Sequence, residues 1–106
     1  MKNLFQGIPE NLPDEVFEEL CSGQQVKIER IVSRGHTTPQ GEWYDQEWDE
    51  WVVLLSGTAQ LKFEDRSELV AMSPGDYLHI AAHQRHRVEW TDPDRDCVWL
   101  AIHFKV

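Results

Sequence analysis

The chain has 106 residues, 41% hydrophobic and 27% charged, the length and composition of one globular domain able to bury a core without disulfides. Its formal net charge of −9 argues against nucleic acid and anionic membranes as partners, because both are held by clustered Lys and Arg. No stretch approaches the ~18 apolar residues of a membrane span and the N-terminus lacks a signal-peptide pattern. The widely spaced Cys21 and Cys97 match no metal or redox spacing, so the expected setting is the reducing cytoplasm.

In chain order, residues 1–24 read as a leader and residues 25–106 as the domain. Within the leader, residues 13–20 predict a short helix: Pro13 suits the first helical position, Asp14 and Glu15 the positive end of the dipole, and Gly23 the exit, while Val16, Phe17 and Leu20 share a face. From Val26 the period becomes two. Val26, Ile28 and Val32 alternate with Lys27, Glu29 and Ser33, a strand signature. Residues 35–41 form a loop broken at Pro39. Residues 50–55 are a dense apolar strand, closed by the tight-turn pair Ser56-Gly57. Ala59, Leu61 and Phe63 alternate with Gln60, Lys62 and Glu64 in the next strand. Residues 69–72 lead to the turn cluster Ser73-Pro74-Gly75-Asp76. Strands follow at 77–80 and 86–90, then an Asp- and Pro-rich loop at 91–96 and a last strand at 97–104, apolar on both faces. About seven short, closely spaced strands argue an all-β sandwich or barrel. Periodicity does not choose between a jelly roll and an immunoglobulin-like sandwich.

Two segments do choose. One runs from Glu50 through six residues to Gly57. The other is Pro74-Gly75-Asp76, continuing to His86. Together they resemble the two signature motifs of the cupin superfamily, G-x5-H-x-H-x3,4-E-x6-G and G-x5-P-x-G-x2-H-x3-N. The resemblance implies a double-stranded β-helix, the jelly-roll barrel of small single-domain cupins. In that family two His, the Glu and the last His hold a divalent metal. Glu50 matches the Glu and His86 the last His. The two earlier His are replaced, by Tyr44 and Gln46 with the three-residue spacer or by Trp43 and Asp45 with the four-residue spacer. Ala81, His83 and Trp90 stand where the second motif has Pro, Gly and Asn.

The resemblance makes Glu50 and His86 the catalytic candidates, projecting from facing strands into one pocket. A metal there would need a third donor, either Asp45 or Gln46. One His and two oxygens suit Mn²⁺, Fe²⁺ or Ni²⁺ better than Zn²⁺. Without metal, Glu50 and His86 make an acid–base pair or a hydrogen-bonded one. Tyr44, Trp90 and His83 are the pocket candidates: Tyr44 as a donor, Trp90 facing inward beside His86, and His83 at the mouth. Strand parity puts Leu78, Ile80 and Val88 inside and His79 and Trp51 outside; the face of His103 stays open. Two functions follow. One is a metal-dependent enzyme, dioxygenase- or isomerase-like; the other is a non-catalytic module that binds a small ligand, so catalysis itself is left open. Small cupins pair as dimers, and the strand at Val26–Val32 is the expected edge for a homodimer.

Overall fold

A computed structural model describes every residue from Met1 to Val106. It contains eight strands: β1 (Val16–Ser22), β2 (Val26–Ser33), β3 (Asp49–Ser56), β4 (Ala59–Phe63), β5 (Leu69–Met72), β6 (Tyr77–Ile80), β7 (His86–Thr91) and β8 (Cys97–Phe104). They form a five-stranded sheet in the order β1-β2-β8-β3-β6 and a three-stranded sheet in the order β5-β4-β7. Every pairing is antiparallel. No helix is long and apolar enough to cross a membrane.

The core lies between the two sheets. Val52 and Leu54 of β3 meet Leu61 and Phe63 of β4 and Trp99 of β8 in one buried cluster. Fully burying one such side chain contributes about 1.5–3 kcal/mol. The turn after β3 depends on Gly57, which has φ +79°. A Cβ there would lie 2.7 Å from Cys97 Sγ and 2.9 Å from the Asp96 carbonyl oxygen. Both the left-handed backbone and the close approach exclude a side chain.

Register sets which residues enter the barrel. On β8, residues 97, 99, 101 and 103 share the inner face, because Trp99 pairs with core Leu54 and His103 pairs with Glu50. On β2 the apolar set Val26, Ile28 and Val32 shares its face with Arg30, the opposite face from Glu29 and Ile31, which enter the pocket. This outer face is not left bare. Arg30, 4% exposed, donates to the Leu4 carbonyl at 2.9 Å and the Gln6 carbonyl at 2.7 Å, and pairs with Glu18. The first residues of the chain therefore strap across β2, and the polar side of β2 turns inward.

Three expectations are corrected. The helix over 13–20 does not form; Val16–Ser22 is strand β1, in register with β2 from Val16↔Val32 to Ser22↔Lys27. A helix of two turns is marginal alone, whereas the free edge of β2 offers it a ladder of hydrogen bonds. It follows that β2 is an interior strand and β1 the edge. Trp90 does not face inward. Gln60 pairs with Trp90 but Leu61 pairs with Val88, so Glu89 is an extra residue on β7. This bulge flips the parity beyond it and leaves Trp90 40% exposed.

Candidate functional site

Glu50 on β3 and His86 on β7 come from opposite sheets and meet in one pocket. Both are buried, at 6% and 5% exposure. Glu50 Oε1 lies 3.9 Å from His86 Nε2, too far for a hydrogen bond. The reason is chemical. His86 Nδ1 is 2.9 Å from the Gln84 carbonyl, which can only accept, so Nδ1 carries the proton. In its neutral form the ring turns a bare Nε2 lone pair toward Glu50, whose carboxylate form also only accepts. Two acceptors face each other across a gap that a donor from a bound molecule, or a proton, would fill.

The His86 ring is fixed from both sides. Tyr44 stacks on it with centroids 5.5 Å apart, and Phe63 lies at 5.9 Å. Tyr44 and His86 also exchange backbone hydrogen bonds at 2.7 and 3.2 Å, an isolated bridge that extends the edge of β7. Burial, and then the charge of Glu15, pushes the Tyr44 phenol up, with Glu50 and Glu29 adding to it. Tyr44 therefore stays a neutral phenol.

Of the two alternatives for a third metal donor, the pocket receives one. Gln46 lines the pocket with Glu50 and His86. Asp45 points to the rim, where its Oδ1 lies 2.8 Å from His83 Nδ1. This is the arrangement of the three-residue spacer, with Tyr44 and Gln46 in the places of the two absent histidines. No group of three or more His, Cys, Asp or Glu side chains is disposed to hold a metal ion. Glu50, His86 and the Gln46 amide are the residues that would hold the family's metal, one His and two oxygens in place of the family's three His and one Glu.

His83 is a rim residue rather than a pocket-lining one. It is the only non-glycine residue with positive φ, at 63°, at the position where the second motif carries glycine. Its N–H donates to the Gln46 carbonyl at 2.7 Å. With the Asp45 contact, this bond offsets the strained backbone and ties the 44–46 segment to the loop before β7. Asp49 braces the same loop, accepting from Ala82 N–H at 3.0 Å and from His79 at 2.8 Å. His79 first, and Ala82 second, hold its carboxyl below the usual range.

A second acid–base pair completes the pocket. Glu29, 8% exposed, accepts from His103 Nε2 at 2.8 Å. Glu29 was legible only as the polar side of an alternating strand. The signal for His103 was the inner-face series Cys97, Trp99, Ala101, once Trp99 is known to be core. The His103 hydrogen bond holds the Glu29 carboxyl below its ordinary value, against burial, which raises it. A depressed carboxyl contributes stability above the ordinary carboxylate range and loses it as pH falls through that range. Wild type should therefore melt higher than Glu29→Gln at neutral pH. The difference should shrink on acidification from about pH 7 to 3, as followed by thermal melts.

Trp99 also lines the pocket, is 4% exposed, and its Nε1–H is the one buried side-chain polar atom without a hydrogen-bond partner. An orphan donor of this kind costs about 1–3 kcal/mol.

The family model for the cupin domain matches residues 31–103. Among solved structures, the chain is 46% identical to a candidate mannose-6-phosphate isomerase from Ralstonia eutropha JMP134, over 100% of this chain and 98% of that one, with a TM-score of 0.96. A cupin superfamily protein from Desulfitobacterium hafniense DCB-2 is 19% identical over 93% of this chain and 84% of that one, with a TM-score of 0.75. An RmlC-like cupin family protein with a double-stranded β-helix fold from Methanocaldococcus jannaschii is 17% identical over 92% and 86%, with a TM-score of 0.71. The last two speak for the fold alone. No curated protein matches the chain.

Proposed function

The chain belongs to the cupin-domain family, and on that premise we propose that its barrel interior binds a small polar molecule and that Glu50 and His86 move protons on it, an isomerase-like role. The observation that carries this reading is the pair of buried acceptors 3.9 Å apart. The similarity over the whole chain to a candidate isomerase supports it.

On a hydroxycarbonyl compound the steps balance as follows. The Glu50 carboxylate takes the proton from the carbon that bears the hydroxyl. His86, once Nε2 has taken up a proton and the ring is an imidazolium, gives that proton to the carbonyl oxygen, and an enediol results. In reverse, the protonated Glu50 delivers its proton to the former carbonyl carbon, and His86 recovers one from the oxygen on the other carbon. Both groups end as they began, and the carbonyl has moved by one carbon. The low-dielectric surroundings strengthen each transfer.

Proton exchange in D₂O tests this. With wild-type protein and small hydroxycarbonyl compounds, ¹H NMR should show deuterium entering at the carbon beside the carbonyl. Saturable binding without exchange would remove the catalytic role and leave the second reading, a ligand-binding module. That second reading is supported by Tyr44 and Gln46 standing where the family has its two earlier histidines.

We also propose a homodimer. The outer face of the five-stranded sheet carries Trp51 against Tyr77, with ring centroids 5.4 Å apart, and Tyr77 is 65% exposed; no part of the leader forms a helix to cover them. Sedimentation at micromolar concentration should give twice the chain mass, falling to one chain mass in Tyr77→Glu. The free Cys21 and Cys97 support a cytoplasmic setting.

A further inference from the structure

The lining of the pocket is unbalanced in charge. Glu15, Glu29 and Glu50 contribute carboxylates, and no Lys or Arg lines it. The nearest lysine, Lys27, sits in the outer vestibule and lies 3.7 Å from Glu29. Three of the six arginines are engaged elsewhere: Arg30 under the N-terminal strap, Arg85 with Glu64, and Arg87 with Glu89. A phosphate group inside the pocket would sit against three carboxylates with no Lys or Arg in the lining to pair with it.

The lining is equally unbalanced in hydrogen bonding. Glu50 and the lone pair on Nε2 of a neutral His86 ask for donors. A hydroxyl-rich molecule supplies them. Size narrows the choice further. The inner pocket has a volume of about 70 Å³, which is room for roughly five to seven waters at ~10–15 Å³ each. A molecule of about six heavy atoms fills it; a hexose phosphate would extend into the outer vestibule.

We infer that the pocket takes an unphosphorylated, triose-sized polyhydroxy carbonyl compound. This rests on the pocket being the binding site proposed above, and it sets the chain apart from the phosphorylated sugar in the description of its 46% identical neighbour.

The probe is the Trp99 indole N–H resonance in ¹H–¹⁵N spectra of the full chain, assigned by its loss in Trp99→Phe. Dihydroxyacetone, glyceraldehyde, dihydroxyacetone phosphate, mannose-6-phosphate and inorganic phosphate are titrated in turn. An unphosphorylated triose should shift the resonance saturably, and each phosphorylated compound should bind about tenfold more weakly or worse. Glu15→Gln should narrow that difference. Equal or tighter binding of a phosphorylated compound, or no response to either unphosphorylated triose, would overturn the inference. If Trp99→Phe does not fold, thermal stabilisation of the wild type across the same series makes the same comparison. The two proposals fail separately. A triose that binds without deuterium exchange keeps the ligand class and removes the proton transfer. Exchange confined to phosphorylated compounds does the reverse.

Discussion

Glu50→Gln is expected to slow α-proton exchange by about 10²–10⁴-fold, the usual contribution of a positioned general base. The substitution keeps the shape of the side chain, so packing against β6 and β8 is preserved. It removes the base and places an amide donor where a carboxylate was. That amide can donate across the gap to the His86 Nε2 lone pair, replacing two opposed acceptors with a hydrogen bond. The melting temperature should therefore hold or rise while exchange collapses. A parallel loss of stability and exchange would point to a structural role for Glu50 instead. Exchange that persists at the wild-type rate would take Glu50 out of the chemistry altogether.

Leu54→Ala is expected to cost about 3–4 kcal/mol, within the range for Leu truncation in a packed core. Leu54 is 0% exposed and sits on the same face of β3 as Val52 and Glu50, opposite Trp99 across the β3–β8 ladder. Its main-chain bonds, from its own N–H to the Asp76 carbonyl at 3.0 Å and from Gly75 N–H to its carbonyl at 2.7 Å, survive the change. The loss is then one of side-chain packing. For a chain of this size it should lower the melting temperature by on the order of 15 °C. Leu54→Met, which nearly conserves volume, should cost less than about 1.5 kcal/mol. A loss below about 1 kcal/mol for Leu54→Ala would mean that this face of β3 is not core, and that Glu50 does not point where the register puts it.

The fold was legible because two kinds of signal agreed. Alternation marked β2 and β4, and Gly57 and Gly75 punctuated the strands at motif spacing. Glu50 and His86 were legible through the same spacing, since a strand of fixed parity between fixed turns leaves a side chain only one face to occupy. What failed did so for local physical reasons. The segment Val16–Ser22 has helix-start residues, but the edge of β2 decided its state, and a free edge is not written in the segment that fills it. Trp90 was misplaced because one extra residue, Glu89, inverts parity, and a bulge has no signature in alternation alone. Asp45 and Gln46 could not be separated because no regular strand covers residues 45–48, so counting back from Glu50 has no fixed period there. Glu29 was hidden because alternation alone does not say which side of β2 faces the barrel. The N-terminal strap held by Arg30 covers that side instead.

The sharpest single test is the tautomer of His86, read from long-range ¹H–¹⁵N correlations of histidine-labelled protein with the ring neutral. The geometry predicts a proton on Nδ1, a bare Nε2, and a Nε2 resonance that moves in Glu50→Gln. A ring protonated on Nε2 instead, or a Nε2 signal indifferent to Glu50→Gln, would contradict the pairing of residues 50 and 86 across the pocket.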